Sequence, residues 1–372
     1  MQSTPNPDLL SPFSEALTKF AYQGFQQTKS LFSFANKNIS DRLTNTVITS
    51  RQDMTSPLSP ELLLKLQESR SQLCEIDWED VQKGIYPVEV LFDSFLPDFL
   101  RYYPEMWLDL PKIWSRLQRK EYQSFADDIE KEGYPGYYLQ NFHHQTDGYL
   151  SDSSANLYDL QVDILFNGIA DGMRRRILTP LKEGLTTFSS VPAYQIKVLD
   201  VACGTGRTLK ALRATFPKAS LFGVDLSPAY LRKANQLLSE NPRELPQLSH
   251  ANAEDLPHPD NFFHGVSCVF LFHELPGFAR QAVIEECFRV TKPGGTFVIC
   301  DSMQLADTPE FEGMLNNFSA MFHEPYYQDY IRDKLGERLE KAGFELLETQ
   351  LHFLSKYWVA RKPDSTTLIQ NN

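Results

Sequence analysis

Ile196-Lys-Val-Leu-Asp-Val-Ala-Cys-Gly-Thr-Gly-Arg-Thr208 decides how the rest of this chain is read. Its apolar, β-branched run from Ile196 to Val201 predicts a buried strand, with Asp200 near the end of it. Ala202, Gly204 and Gly206 then alternate with Cys203 and Thr205. From Thr208 onward Leu209, Leu212 and Phe216 recur at helical spacing. Small residues at such a strand-to-helix turn let the backbone bend tightly and approach a ligand, while free N–H groups at the helix start face it. That geometry suits a nucleotide-like cofactor at the carboxyl edge of a parallel sheet.

A dinucleotide fingerprint would place a third glycine three residues after Gly206. The residue there is Leu209, which argues against NAD and against a reductase. Leu221-Phe-Gly-Val-Asp-Leu-Ser-Pro228 predicts a second strand ending in an acid, with Ser227 capping a helix and Pro228 at its first position. A carboxylate there can accept hydrogen bonds from both hydroxyls of a ribose, so Asp225 is the candidate ribose clamp. His264 to Phe272 predicts a fourth strand, followed by His273-Glu-Leu-Pro276. Pro293-Gly294-Gly295 is a turn signal leading into a strand from Thr296 to Cys300. Taken in order, Asp200-x-Ala-x-Gly-x-Gly206, Asp225, Ala251-Asn-Ala-Glu-Asp-Leu-Pro257 and Arg289-Val-Thr-Lys-Pro-Gly-Gly-Thr-Phe-Val-Ile-Cys-Asp301 resemble the motifs of the class I S-adenosylmethionine-dependent methyltransferases. The resemblance runs from Ile196 to Lys362.

The resemblance implies an α/β fold: a Rossmann-like doubly wound sheet closed by an antiparallel C-terminal hairpin, here Phe344 to Leu351 and Phe353 to Arg361, plus a mostly helical N-terminal extension. It implies S-adenosyl-L-methionine as cofactor and S-adenosyl-L-homocysteine as product. Asp200 would organise the glycine turn and the methionine ammonium, and Ala202, Gly204 and Gly206 would let the cofactor approach the backbone. Asp225 and Leu226 would hold the ribose side, and Asn252, Ala253 and Glu254 the adenine side, with Phe270 beside them. Many members carry Asp where this chain has Asn252. The Asn-Ala-Glu-x-Leu-Pro loop and the Arg-Val-x-Lys-Pro-Gly-Gly strand look most like the branch containing quinone C-methyltransferases and other small-molecule enzymes. The long N-terminal extension departs from those compact enzymes.

Composition bounds the remaining choices. A length of 372 residues gives ample core for one large domain or two. The formal net charge of −12 is the wrong sign for a protein that must neutralise phosphates, so no nucleic-acid partner is expected. Arg174-Arg-Arg176, the one basic run, reads as a solvated helix face. The five cysteines, Cys74, Cys203, Cys268, Cys287 and Cys300, have no metal-ligand spacing and no even pairing, which points to free thiols in a reducing cytoplasm. No apolar run approaches the ~18 residues that span a bilayer.

Residues 1–58 form a polar extension in which Phe13, Leu17, Phe20, Ala21, Leu31, Phe32 and Ala35 recur at roughly helical spacing. An amphipathic helix packed on the body, a loose extension, a membrane-surface helix carrying Lys19, Lys29 and Lys37, and an organelle transit peptide are all open here. Residues 59–150 read as a helical, aromatic-rich cap, beginning with Ser59 as helix cap, Pro60 at the first position and Leu62, Leu63, Leu66 and Leu73 inward. Within it, Gly133 to Ser151 has no regular period but two adjacent histidines and many rings, as a substrate-covering lid or a structural connector would. Residues 151–363 are the methyltransferase domain, opened by a long helix from Leu157 to Arg176. After the fifth strand, helices are expected over Asp307 to His323 and Tyr326 to Ala342, the second stopped by Gly343. Residues 364–372 read as a disordered tail.

Methyl transfer from a sulfonium is an in-line displacement whose leaving group departs neutral, so no metal is expected. Alignment in a dry pocket is the main requirement, and such positioning can reach effective molarities of ~10⁵–10⁸ M. The candidate bases are His273 and Glu274, after the fourth strand, and their rivals His143 and His144. A base contributes ~10²–10⁴. By the resemblance Tyr149 and Tyr158 are candidates to touch the cofactor or acceptor, and His323 and Tyr326 could close the pocket from the other side. The expected function is methylation of a small apolar or aromatic metabolite. The alternatives are a protein methyltransferase, favoured by a pocket too shallow for a small molecule, and a non-catalytic module that binds the cofactor without turnover. Nothing in the sequence bears on oligomeric state.

Overall fold

β1 (Lys197–Val201), the strand of the opening stretch, lies inside a sheet built with β2 (Ser220–Asp225), β3 (Gln247–His250), β4 (Phe263–Val269), β5 (Thr291–Ser302), β6 (Glu345–His352) and β7 (Ser355–Arg361). The computed structural model describes residues 12–47, 59–93, 96–240 and 245–364, and the strand order among them is β3-β2-β1-β4-β5-β7-β6. β1 to β5 run parallel, and β7 is antiparallel to both β5 and β6. This is the doubly wound sheet with the closing hairpin. Chain order reverses direction between β1 and β4, and open α/β sheets leave a crevice at the carboxyl ends of their strands at such a point. Val198, Leu199 and Val201 make β1 apolar on both faces because helices cover both of them. Val198 packs into one core and Leu199 and Val201 into the other.

The helices are α1 (Pro12–Val47), α2 (Pro60–Gln82), α3 (Leu96–Arg119), α4 (Asp152–Leu165), α5 (Ala170–Arg175), α6 (Leu178–Gly184), α7 (Arg207–Thr215), α8 (Pro228–Ser239), α9 (Gly277–Val290), α10 (Glu312–Phe322), α11 (Tyr327–Tyr330) and α12 (Leu335–Ala342). The expected caps are in place: Ser59, Ser151 and Ser227 each accept a hydrogen bond from a first-turn N–H, and Gly343 ends α12 in the left-handed conformation. The expected long helix to Arg176 is broken into α4 and α5. Asn167 and Gly168 turn left-handed there, and a Cβ on Gly168 would stand 2.4 Å from Cβ of Lys29, so α1 runs directly over the break. The helix expected from Tyr326 is likewise two pieces, separated by Ile331 to Lys334. Residues 365–372, the expected tail, lie outside the described residues.

Two expectations about burial fail, that Leu63 points inward and that Arg174 to Arg176 form a solvated face. α1 packs on the body, with Leu17, Phe20 and Leu31 of its helically spaced set exposed, and Leu63 on α2 is exposed too. The buried face of α1 is Tyr22, Gln26, Lys29, Ser33, Asn36 and Thr44. Its partners are polar: Tyr22 donates to Asp77 (2.6 Å), Lys29 pairs with Asp163 (3.0 Å), and Lys37 donates to the Leu165 carbonyl (2.7 Å). Nor is Arg174-Arg-Arg176 a solvated face. All three are buried and paired, Arg174 with Asp171, Arg175 with Asp77 and Arg176 with Asp80. Buried ion pairs carry the charged residues of a surface helix into the interior, and a polarity pattern cannot tell the two apart. No helix of the described residues is long and apolar enough to cross a membrane.

Asp77 is the hub of this contact, fully buried and also accepting from Tyr86 at 2.5 Å. Asp77→Ala leaves the Arg175 guanidinium buried without a counter-charge, a loss of about 3–5 kcal/mol. A urea titration followed by circular dichroism should show the lowered midpoint, and an unchanged midpoint would refute the role of this pair.

Candidate functional site

At the carboxyl end of β1 the chain passes through Ala202 and Gly204, both left-handed, before Gly206, also left-handed, opens α7. A Cβ built on Gly204 meets nothing within 4 Å, so this stretch of backbone faces open space. The Gly204 N–H donates to Asp225 Oδ2 at 2.8 Å, and the Ser227 N–H donates to Asp225 Oδ1 at 2.8 Å. A carboxylate offers about four lone-pair positions, so Asp225 retains capacity for a bound diol. Burial pushes its pKa up to about 6, which leaves it ionised at neutral pH. Asp200 sits beneath the turn, buried, accepting from Ser267 Oγ at 2.8 Å, and burial pushes it up to about 7. Thr205 donates to Asp159 of α4 at 2.8 Å, tying the turn to the helix above it.

The crevice over this turn is lined by Ala202, Gly204, Asp225, Leu226, Asn252, Ala253, Phe270 and Glu274, with Tyr137, Tyr138, Tyr149 and Tyr158 on the opposite wall. Phe270 holds a left-handed backbone (φ 59°) with its ring stacked on Phe166. A bulky residue there stores about 1–3 kcal/mol of strain, which persists where surrounding structure fixes a site. Asn252 turns its amide inward. Its Oδ1 accepts from the Glu254 N–H at 3.0 Å and its Nδ2 donates to the Glu254 carboxylate, which also accepts from Tyr137. Glu254 therefore joins the loop 133–151 to the crevice from outside it. Ser227 Oγ donates to the Tyr149 carbonyl, and the Tyr149 hydroxyl donates to Glu274, fastening the same loop at two more points.

Phe272 to Glu274 form a short turn after β4, held by Asp301 at the end of β5. Asp301 accepts from the Phe272 N–H at 2.7 Å and lies 2.7 Å from His273 Nδ1. Burial alone would lower the His273 pKa, but Asp301, with Glu324 and Glu274 beyond it, raises it to about 10. In the free protein His273 therefore holds its proton at neutral pH, which makes it a poor general base toward an acceptor. His143, left-handed at φ 53°, places Nε2 at 3.0 Å from Glu324 Oε1 and 3.6 Å from Glu274 Oε1. Glu324 is 1% exposed, and its Oε2 meets no hydrogen-bond donor. The sequence reading missed it, since nothing local marks an acid in the loop after α10.

The other candidates lie elsewhere. His144 is buried with Nε2 at 3.1 Å from the Met321 carbonyl, and its own carbonyl accepts from Arg116. His323 stacks on Tyr122 at 4.1 Å and meets Gln140. Tyr326 packs edge-on against Tyr137. None of the three lines the crevice. A second cavity, of ≈170 Å³, opens among α1, α3, α4 and α10, lined by Asn36, Ser40, Met106, Trp107, Leu110, Ile164 and Phe322, with His143 in its wall. Glu274 lines the crevice and His143 the second cavity, so these two side chains, 3.6 Å apart, stand between the two spaces.

Residues 198–295 match the family described as "Methyltransferase domain". A demethylmenaquinone methyltransferase from Geobacillus sp. (strain WCH70) is 35% identical over 173 residues, covering 41% of this chain and 73% of that protein. The demethylmenaquinone methyltransferase of Geobacillus stearothermophilus is 36% identical over 176 residues, with the same coverages. A solved S-adenosylmethionine-dependent methyltransferase from Aquifex aeolicus overlaps 49% of this chain and 91% of its own, at 20% identity and a TM-score of 0.36. An overlap that small carries no weight, and the assignment rests on the sequence relatives with the motif order and sheet topology behind them. The chain belongs to the class I S-adenosylmethionine-dependent methyltransferases, with demethylmenaquinone methyltransferases among its relatives.

Proposed function

We propose that this enzyme methylates a small, apolar or aromatic metabolite seated in the cavity among α1, α3, α4 and α10, with the cofactor in the crevice at the carboxyl ends of β1 and β4. The observation that supports the reading is that His143, lining the cavity, touches Glu274, lining the crevice, so the two spaces lie side by side with these side chains between them. A cavity roofed by helices suits a small molecule better than a protein segment, and the relatives' name points to a quinone-like ring. In this reading residues 59–150 cover the substrate, and residues 151–363 are the methyltransferase domain.

The residues fit S-adenosylmethionine: an open backbone at Gly204, a carboxylate with spare lone pairs at Asp225, and a buried acid with a single hydrogen bond at Asp200. When bound, the cofactor supplies an activated methyl group and leaves as S-adenosylhomocysteine. Asp225 holds the ribose hydroxyls, and Asp200 favours the methionine ammonium. Leu226, Ala253 and Phe270 line the adenosine side, where Asn252 keeps one amide hydrogen for the adenine edge and Glu254 acts through Asn252 and Tyr137. Tyr149 and Tyr158 exclude water. Glu274 faces the acceptor, where its carboxylate can take a hydrogen bond from an O–H or N–H. Alignment across the boundary supplies most of the rate, in the range of effective molarities near ~10⁵–10⁸ M.

Peripheral contact with a lipid surface belongs to the same reading, as does a cytoplasmic setting. Leu17, Phe20, Leu31, Phe34 and Ile39 form an exposed apolar ridge on α1, whose Asn36 and Ser40 line the acceptor cavity. Lys29 and Lys37 are engaged inward and Lys19 pairs with Glu75, so attachment rests on apolar insertion rather than charge.

Three outcomes test these assignments. Asp225→Ala should weaken S-adenosylhomocysteine binding by calorimetry more than about tenfold, as loss of hydrogen bonds to a charged group predicts. Wild-type affinity should also fall as pH drops through about 6, where the carboxyl takes a proton and loses acceptor capacity. Normal affinity in the variant, or a flat pH profile, overturns the ribose assignment. Incubation with methyl-labelled cofactor and a cell extract should label an apolar small molecule. Leu110→Trp, which fills the cavity, should abolish that label while cofactor affinity holds. Label on protein alone would replace this reading with a protein methyltransferase. Phe20→Glu with Phe34→Glu should reduce flotation with phosphatidylcholine vesicles, and equal flotation removes the membrane contact.

A further inference from the structure

His143, His273, Glu274 and Glu324 each turn one ligand-capable atom into a common volume at the boundary of the two spaces, all within 4.8 Å of one another. The geometry points to a binding site for a divalent first-row transition-metal ion, held by two imidazole nitrogens and two carboxylate oxygens. The assignment goes beyond the methyltransferase reading and depends only on these four groups. The sequence gives no reason to expect it, because the ligands come from three segments far apart in the chain: the loop before α4, the turn after β4 and the loop after α10.

Three features of the cluster favour a cation over a set of hydrogen bonds. His273 has Nδ1 on Asp301, which also accepts from the Phe272 and Ser302 N–H groups, so its Nε2 faces the cluster, where a bound metal ion would displace the proton it carries in the free protein. A carboxylate behind one ring nitrogen is how metal-ligating histidines are oriented. Glu324 is 1% exposed; its Oε2 meets no hydrogen-bond donor, and its Oε1 lies 3.0 Å from His143 Nε2. Burying a carboxylate with an oxygen left unpartnered is unfavourable unless a cation compensates it. Glu274 and Glu324 also share one desolvated space, where like charges repel and a cation would relieve both.

Ligand chemistry narrows the ion. Two imidazoles with two carboxylates suit Zn²⁺, Mn²⁺, Fe²⁺ or Co²⁺; Mg²⁺ and Ca²⁺ prefer all-oxygen sets, and no thiol is present to select copper(I) or a cluster. Four ligands around an ion at ~2.0–2.2 Å lie about 3.3 Å apart, so binding draws the side chains together by about an ångström. Such an ion would pin the loop 133–151 and the loop after α10 to the sheet edge. It would also stand beside the acceptor cavity, where an oxygen of the acceptor can complete its coordination.

The test uses the full chain, stripped with a chelator and titrated with Co²⁺ under visible absorption and calorimetry. One ion per chain, with the d–d bands of an N/O site, is expected. Glu324→Gln and His143→Gln should each weaken Co²⁺ binding more than about tenfold, as loss of a ligand or its support does. S-adenosylhomocysteine affinity, measured in parallel, reports separately on the cofactor crevice, and circular dichroism reports on the fold. If one variant fails to fold, the other decides. Absence of Co²⁺, Zn²⁺ and Mn²⁺ binding at millimolar concentrations, or undiminished binding in a folded variant, overturns the proposal.

Discussion

The hydrogen bond from the Gly204 N–H to the Asp225 carboxylate joins the two strand ends between which the site is built. Asp225 closes β2, and Gly204 lies in the turn that follows β1, so one carboxylate fixes the turn's height above the sheet. The left-handed conformations of Ala202 and Gly204 aim the backbone at the crevice, and the bond to Asp225 keeps them there. Asp225 also takes the Ser227 N–H, so it sets the start of α8 as well. Burial raises its pKa to about 6, and the two backbone donors work against that rise, so this acid is both buried and ionised near neutral pH.

How much was legible in the sequence follows from how local each constraint is. The strand, glycine turn and capped helix from Ile196 to Thr208 are specified by neighbours in the chain, and so are the caps at Ser59, Ser151 and Ser227. Those features stand as read. The helix break at Gly168 was not legible, because what forces it is α1 arriving from more than a hundred residues away. Which face of α1 turns inward was not legible for a related reason. Its inward face consists of hydrogen-bonding residues matched to Asp77, Asp163, Leu165 and Asn167, a pairing that no periodicity displays. Glu324 was invisible because its meaning lies wholly in residues it meets through space.

Charge inside this molecule is organised rather than avoided. Net charge is −12, yet Arg174, Arg175 and Arg176 lie buried and Arg207 half-buried, paired with Asp171, Asp77 and Asp80. Buried pairs of this kind add little net stability over apolar packing, but breaking one is costly. Their effect is to fix one register of the N-terminal helices on the sheet. That register places Asn36 and Ser40 of α1 in the wall of the cavity among α1, α3, α4 and α10.

The cluster at the cavity boundary follows from the same layout. The sheet contributes His273 and Glu274 through a turn anchored on Asp301, and the helical cap contributes His143 through a strained backbone. Glu324 arrives from the insertion after β5. Each segment brings polar groups that burial penalises singly, and only their convergence can satisfy them. A compact methyltransferase lacking the helical cap could not bury this boundary, so the extension and the cluster are one structural feature. The residues that distinguish this enzyme from its smaller relatives are therefore to be sought where cap and sheet meet, and the glycine turn beneath them supplies what the family shares.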